Sequence, residues 1–455
     1  MEETRSEIAQ REGFSSSIGV IAATLGSAVG LGNIWKFPYV TGQNGGAAFI
    51  LIYLIAVLLG SLPVMISELM IGRKTNANAV GAFKKLTKRE PWFLVGVSGV
   101  LSAFLIMAFY TTVAGWVFSY IFKAATGTIH STNPEQTSAV FQGLVSGVGE
   151  PLFWQILVLG ITGVIIMAGV AKGIERVTKI LMPILFVLLV IVDIRSLTLP
   201  GAAEGLKFLF LPDFSKISFG VVLAALGLAF FKLSVGMGTM TTYGSYMGKE
   251  EDLPRTALKV MLADTLVSIM AGVAIFPAVF AFGFEPKSGP SLLFITIPTV
   301  FASMPFGRFF MVLFFILVAV AATGAMLSLL EVPVAYLVEE HKLTRRVATL
   351  LTIVAIALVG STATLSTSLL SQHLFFGKNL FDLYDFVTSN ILLPLGGIFF
   401  ALFVGWRWGY KGMLVEFSND GRLRNEGVAK IFFILVKFVA PIAITLVLLA
   451  GLGVF

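Results

Sequence analysis

Long apolar stretches recur along the chain and alternate with short polar connections. Residues 47–72, 152–171 and 432–455 each provide about 20 apolar residues, the length that a helix needs to cross the hydrocarbon of a bilayer. Backbone in lipid must satisfy its own hydrogen bonds, so spans of this length are expected to be helices. The pattern predicts an all-α transmembrane protein with eleven spans, near residues 14–38, 45–72, 92–124, 152–170, 176–196, 217–247, 255–284, 308–340, 346–362, 380–405 and 430–454.

Two predicted spans are interrupted by glycine-rich polar stretches, GSAVGLGN (26–33) and SVGMG (234–238). One such break alone equally indicates close helix packing. Matched breaks that begin two five-helix halves of opposite orientation are typical of the inverted repeats of secondary transporters. The predicted division is an amino-terminal cytoplasmic segment 1–13, a first repeat 14–196, an extracellular connection 197–216, a second, inverted repeat 217–405, a cytoplasmic loop 406–429 and an eleventh helix 430–455.

Basic residues give the chain a net charge of +7 and are concentrated in five connections: 73–89, 171–179, 248–255, 339–346 and 407–412. All five fall on one side of the predicted helices. The positive-inside rule therefore predicts that this side is cytoplasmic in a cell inner (plasma) membrane, with the amino terminus inside and the carboxyl terminus outside. No basic patch is interleaved with aromatic residues, so the bilayer is an expected partner and nucleic acid is not.

Metal, redox and enzymatic chemistry have little support in the sequence. The chain has no cysteine, and its three histidines, His130, His341 and His373, are scattered. No nucleophile–base pair or phosphate-binding glycine loop is present, so we expect neither an enzyme nor a cofactor. A channel or a non-transporting receptor stays open as an alternative, although no selectivity filter and no added signalling domain can be recognised.

Three motifs resemble the neurotransmitter:sodium symporter family, in its bacterial amino-acid-transporting branch. They are GSAVGLGNIWKFPYVTGQNGGAAF (26–49), GIERVTKILMP (173–183) and FFKLSVGMGTMTTYGSY (230–246). The resemblance spans nearly the whole chain and implies a leucine-transporter-like fold. It also implies alternating access, in which the first and sixth helices rock against a scaffold. Eleven spans match a bacterial variant of this fold.

The resemblance also implies a central site for a neutral amino acid. The backbone of Leu31 and Gly32 and the hydroxyl of Tyr110 would bind its carboxylate, because N–H groups at a half-helix end favour an anion. The ammonium would meet carbonyls near Ser27, Ala28, Phe231 and Ser234, with Phe231 as an aromatic lid. An apolar pocket of Ile106, Val235, Met237, Ala325 and Leu329 would take a fairly large aliphatic or aromatic side chain, unless Met237 and Leu329 merely pack the core.

Gates are implied on both sides of this site. Lys36 and Asp385 fall where the family places an arginine and an aspartate across the outer entrance, and lysine offers a point charge instead of a planar fork. Glu68 is expected to bind backbone groups freed by the break in the sixth helix, since an unpaired charge at that depth is costly. The inner gate would consist of Arg11, Glu339, Ser245 and Tyr246, with a solvated tail residue as the alternative for Arg11.

The first of the family's two sodium sites is altered. This chain keeps Ala28, Asn33 and Asp264 but has Lys232 at a threonine position, within the apolar run LAFFKLSVGMGT (228–239). An ammonium has three donors and no acceptor, so it cannot coordinate a cation. The resemblance assigns Lys232 to the substrate site as well. Leu228 and Lys232 also replace polar ligands of the chloride site of animal relatives, where Tyr53 and Ser268 remain.

The second sodium site is altered too. The carbonyls of Gly26, Val29 and Ala321 are retained, but Gly324 and Ala325 occupy the two hydroxyl positions. A shift of one residue would bring Thr323 back as a ligand. No metal site is therefore expected.

We interpret Lys232 as a built-in cation in place of sodium, neutralised by Asp264, hydrogen-bonded by Asn33 and within reach of the substrate carboxylate. The alternative is a lysine that extends to water and fills space. A permanently charged Lys232 indicates an amino-acid exchanger or facilitator, whereas one that loses its proton indicates proton-coupled symport, with protons as a partner. Ordinary sodium symport through the retained carbonyls is the main rival.

Overall fold

The computed structural model describes residues 12–88, 90–283 and 292–454, and within them the chain is helical without a single named strand. Arg11 and the connection 284–291 lie outside this part. Among the described residues, nine helices and one bent pair are long and apolar enough to cross a membrane, and a shorter apolar helix, Phe219–Lys232, begins the sixth predicted span. The eleven predicted spans are consistent with this arrangement. The helices are α1a (Ser17–Ala28), α1b (Gly32–Gln43), α2 (Ala47–Thr75), α3 (Phe93–Thr126), α4 (Gly149–Met167), α5 (Val170–Leu197), α6a (Phe219–Lys232), α6b (Thr239–Gly244), α7 (Leu253–Ala281), α8 (Gly307–Glu340), α9 (Arg345–Thr367), α10 (Leu380–Phe417) and α11 (Glu426–Gly451).

The connections contain more helix than the sequence pattern predicts. Helices Pro134–Val145 and Ala202–Phe210 lie in the connections after α3 and α5. The first part of the predicted cytoplasmic connection 406–429 is helical, because α10 continues to Phe417. Charged residues in this last part of α10 form ion pairs with residues elsewhere in the chain. Arg407 pairs with Glu90 at 2.6 Å, and Glu416 pairs with the buried Arg73 at 2.6 Å.

Both predicted breaks are present. α1a ends at Ala28, Val29 has an extended backbone, and α1b is bent by 52° relative to α1a. Between α6a and α6b, Ser234 and the glycines at 236 and 238 all have positive φ, and glycine adopts this region without steric cost. As predicted, Glu68 of α2 serves this break: its carboxylate accepts from Gly236 N–H at 2.6 Å.

Glycines let α2 and α6b pack backbone to backbone. A Cβ on Gly72 would overlap the carbonyl of Thr241, and one on Gly244 would meet the carbonyl of Leu69. Because the two helices leave no room for side chains between them, α6b is held against α2 on one side of its break. α6a does not take part in this backbone contact. It packs against the amino-terminal half of α2.

Replacement of Glu68 tests its role at the break. Glu68→Ala leaves Gly236 N–H buried without an acceptor, so we expect the free energy of unfolding to fall by about 1–3 kcal/mol. Glu68→Gln keeps one carbonyl oxygen and is expected to retain most of the stability. Thermal unfolding of detergent-solubilised protein measures both variants. Equal losses for Ala and Gln would contradict this role.

Candidate substrate and cation site

A small cavity of about 40 Å³ lies between the two breaks. It is lined by eleven of the thirteen residues that the resemblance assigns to the substrate site, together with Gly30. Of the other two, Leu31 lines the outer vestibule, and Val235 is buried without lining the cavity. The lining residues are Ser27, Ala28, Gly30, Gly32, Ile106, Tyr110, Phe231, Lys232, Ser234, Met237, Ala325 and Leu329.

The polar groups of the cavity come from the break in α1 and from its neighbours. Leu31 N–H donates to the hydroxyl oxygen of Tyr110 at 3.0 Å, which leaves the tyrosine O–H free to donate. Ser234 Oγ donates to the carbonyl of Ser27 at 3.0 Å and joins the two breaks. The cavity can therefore offer a hydroxyl donor to an anion and helix-end carbonyls to a cation.

A vestibule of about 180 Å³ lies beyond Phe231 and includes both predicted outer-gate residues. Lys36 and Asp385 are not ion-paired in the part of the chain that the structure describes. The ammonium of Lys36 lies 3.7 Å from the ring centroid of Phe231, and Asp385 accepts from Ser389 Oγ at 2.8 Å. Phe231 therefore separates the cavity from the vestibule, and the ammonium of Lys36 packs against its ring.

Lys232 is fully buried, which contradicts the alternative that it extends to water. Its Nζ donates to Asp264 Oδ2 at 3.0 Å, to the Tyr53 hydroxyl at 3.0 Å and to Ser268 Oγ. The rings of Phe37 and Tyr53 lie 5.0 and 5.1 Å away, at cation–π distance. Three donors thus meet three oxygen acceptors, and Asp264 supplies the balancing charge.

The structure differs from the predicted arrangement at Asn33. Its amide donates to Asp264 Oδ1 at 2.6 Å and its oxygen accepts from Gly30 N–H at 3.1 Å, so Asn33 bonds the aspartate and not the lysine. All three donors of the Lys232 ammonium are used by protein groups.

The ammonium instead reaches the two hydroxyls, Tyr53 and Ser268, that the resemblance assigns to a chloride site. One side chain therefore extends from a cation position toward an anion position. The lysine and Asp264 together are neutral, as a sodium ion with the same aspartate would be. No described residue cluster could hold a metal through three or more histidine or acidic side chains.

At the predicted second cation site, α8 packs directly on α1a. A Cβ on Gly324 would lie 2.8 Å from the carbonyl oxygen of Gly26, so a threonine does not fit here without separating the helices. Thr323 donates its hydroxyl to the carbonyl of Ala319 within α8 at 2.8 Å. Val29, Ala321 and Ala325 are buried around this contact.

On the opposite face, the structure describes contacts of three predicted inner-gate residues. Glu339 accepts from the backbone and side chain of Asn78, and Ser245 Oγ donates to the carbonyl of Thr242. Tyr246 donates to Glu331 at 2.6 Å. The fourth predicted residue, Arg11, lies outside the described residues.

The sequence interpretation missed one ion pair of this face. Arg345 binds both carboxylate oxygens of the fully buried Glu331, at 2.6 and 3.1 Å, and also the carbonyl of Ile166. A glutamate within the apolar run of α8 was the available signal, because a buried carboxylate requires a partner.

Comparison with known proteins agrees with this geometry. A model of the sodium:neurotransmitter symporter family matches residues 11–142 and 136–455. The uncharacterized sodium-dependent transporter YhdH of Bacillus subtilis is 40% identical over 97% of this chain and 98% of its own length. An uncharacterized sodium-dependent transporter of Haemophilus influenzae is 37% identical over 97% and 98%.

Among solved structures, MhsT in complex with L-phenylalanine is 46% identical, with a TM-score of 0.89 over 97% of this chain and 100% of that one. The leucine-transporter-like architecture is confirmed by this match. Family and fold are those of a transporter and not of an enzyme. The chain belongs to the sodium:neurotransmitter symporter family.

Proposed function

We propose that the protein is a secondary transporter that moves neutral, aliphatic or aromatic amino acids by alternating access. The observation that carries this proposal is the cavity between the two breaks, where a tyrosine hydroxyl held by Leu31 N–H faces helix-end carbonyls. These groups match the two charged ends of an amino acid, and the remaining lining is apolar. The phenylalanine complex of MhsT supports the same substrate class.

We further propose that transport does not require sodium. Lys232 occupies the position from which a sodium ligand would come, and its ammonium is paired with Asp264 at 3.0 Å. The packing of Gly324 on Gly26 leaves no space for hydroxyl ligands at the second position. The competing function is sodium-coupled symport, which the names of these sodium-dependent relatives favour.

Two coupling mechanisms follow from a tethered cation. If Lys232 keeps its proton through the cycle, no coupling ion moves and the protein is an exchanger or facilitator. If rearrangement of Asp264 or Tyr53 releases that proton on one side, the protein is a proton-coupled symporter.

We further propose that the protein lies in a cell inner membrane. The face that carries Glu331 and Arg345 would be its cytoplasmic face, because the basic connections lie there.

Uptake into proteoliposomes tests sodium independence. We expect the initial rate of uptake of the preferred amino acid, found by screening all twenty, to change less than twofold when sodium is replaced by choline or potassium. Replacement of chloride by gluconate should also change the initial rate less than twofold, since the Lys232 ammonium binds the Tyr53 and Ser268 hydroxyls that the resemblance assigns to a chloride site. Collapse to background in choline would establish the sodium symporter. Stimulation of uptake by internal amino acid separates a carrier from a channel or receptor.

Replacement of Lys232 tests the built-in cation. Lys232→Thr leaves Asp264 buried without a counter-charge, so amino-acid affinity in choline should fall at least about tenfold. Sodium should restore part of the affinity, because the variant regains a hydroxyl ligand beside Asn33 and Asp264. Lys232→Met has a similar stem and no oxygen, so sodium should not rescue it. Wild-type affinity in choline for both variants would show that the ammonium is dispensable.

Substitution of Gly324 tests the closed second position. Gly324→Thr should lower uptake at least about tenfold in sodium and in choline alike, because its Cβ would press on Gly26 and force α8 from α1a. Gly160→Ala on α4, where a Cβ meets nothing within 4 Å, is the matched control and should be neutral. Sodium-stimulated uptake in Gly324→Thr would mean that this position still accepts an ion.

A further inference from the structure

Lys437 lies inside a membrane span and, unlike Lys232, at the surface of the protein. Its neighbours on α11 include Ile434 and Phe438, whose apolar side chains are exposed. α11 begins on the cytoplasm-assigned side and continues only to Gly451. At the helical rise per residue this end lies about 21 Å beyond Lys437, whereas a hydrocarbon core is about 30 Å thick. The backbone of Lys437 is therefore inside the hydrocarbon, in the leaflet on the cytoplasm-assigned side.

Three aromatic rings surround the Lys437 ammonium. Its Nζ lies 4.5 Å from the ring centroid of Trp406 and 5.4 and 5.6 Å from those of Phe438 and Phe433. The faces of these rings attract a cation, but they carry no oxygen. Within the part of the chain that the structure describes, no carboxylate pairs with Lys437 and no oxygen accepts from its Nζ. Three N–H donors thus need acceptors from outside the described chain, because an unsatisfied donor in an apolar environment is costly.

Contacts between α10 and α11 hold Trp406 beside this ammonium. Pro441 has no N–H for the carbonyl of Lys437 four residues earlier, and the Trp406 indole N–H donates to that carbonyl at 3.2 Å. Gly405 allows the two helices to approach, since a Cβ there would lie 2.8 Å from the Cα of Lys437. The indole therefore has a fixed place against the lysine.

Interfacial aromatic residues place the Lys437 ammonium at the level of the lipid headgroups. Trp406 is 61% exposed. Tyr410, one turn further along α10, packs on Phe433 with a centroid distance of 5.4 Å. Trp and Tyr are enriched where hydrocarbon meets headgroups, and a lysine that starts in hydrocarbon extends its ammonium to the same level. The acceptors in reach of Lys437 are therefore the phosphate and ester oxygens of a lipid.

Nearby charges favour an anionic lipid. Lys430 is exposed and lies two helical turns before Lys437 on the same side of α11. Lys411 of α10 is exposed as well. Neither has an ion pair among the described residues, and the acidic Glu426 lies a further turn away from the bilayer. Clustered positive charge attracts anionic headgroups and repels the ammonium or choline of zwitterionic ones.

We propose that Lys430, Lys437 and Trp406 form a binding site for one anionic phospholipid of the cytoplasm-assigned leaflet. The Lys437 ammonium donates to a phosphodiester oxygen, and an acyl chain lies along the exposed Phe438 of α11. Lys430 meets the headgroup from the cytoplasm-assigned side. This inference goes beyond the proposed transport function and depends on neither the amino acid nor the coupling ion.

Native mass spectrometry of the detergent-solubilised protein, titrated with phosphatidylglycerol, measures the dissociation constant of the first bound lipid. Lys437→Met keeps an unbranched side chain without the charge, so binding should weaken at least about tenfold, whereas Lys437→Arg should retain most of the affinity. Lys259→Met is the matched control and should change binding less than about twofold. Lys259 is also exposed, near the start of α7 beside the exposed Leu258 and Leu262, but no described ring lies over its ammonium.

Trp406→Phe keeps a ring but removes the N–H that bonds the Lys437 carbonyl, so it should weaken binding severalfold. This variant decides the question if Lys437→Met does not fold. Phosphatidylcholine should bind the wild type at least about tenfold more weakly than phosphatidylglycerol, and excess inorganic phosphate should not displace the lipid.

Unchanged phosphatidylglycerol binding in the folded Lys437→Met or Trp406→Phe variant would overturn the site. Equal losses in Lys437→Met and Lys259→Met would reduce it to general surface charge and would also overturn it. Equal affinity for the two lipids would contradict the anionic headgroup. Displacement by inorganic phosphate would indicate a site for soluble anions and would contradict the lipid.

Discussion

The fold around the cavity depends on one buried ammonium whose three donors meet three protein oxygens. Lys232 reaches Tyr53 on α2 and both Asp264 and Ser268 on α7, so a single side chain joins α6a to two other helices. Without the lysine, Asp264 would be an uncompensated buried charge, which costs several kcal/mol. The Lys232 ammonium therefore links three helices and balances the buried Asp264 carboxylate.

The hydrogen bonds around Asp264 position both breaks. Asp264 also accepts from Asn33, and Asn33 in turn accepts from Gly30 N–H at the break of α1. Lys232 is the last residue of α6a, directly before the other break. Unlike a free ion, an ammonium on a side chain stays with the protein. In the sodium-independent function that we propose, the chain itself would supply the charge that a symporter imports with its substrate.

The two breaks could be predicted from glycine-rich polar stretches within single helices. The lining of the cavity was predicted from the resemblance to the family, because its residues come from several helices, and Glu68 was expected to bind the break because an unpaired buried charge is costly. The sequence also indicated that Lys232 would meet Asp264. It could not show that Asn33 faces the aspartate, that Lys36 lies on Phe231, or that Arg345 pairs with Glu331, since these depend on side-chain directions across separate helices. α10 was predicted too short because its charged residues were read as a loop, and their partners Glu90 and Arg73 lie far away in sequence.

The most direct measurement is an experimental structure determined in sodium chloride with a bound amino acid, at a resolution that distinguishes ions from water. We predict Lys232 Nζ within hydrogen-bond distance of Asp264, Tyr53 and Ser268, and no ion between α1 and α6. A sodium ion coordinated by Ala28, Asn33 and Asp264, with the Lys232 ammonium displaced from the carboxylate, would contradict the account.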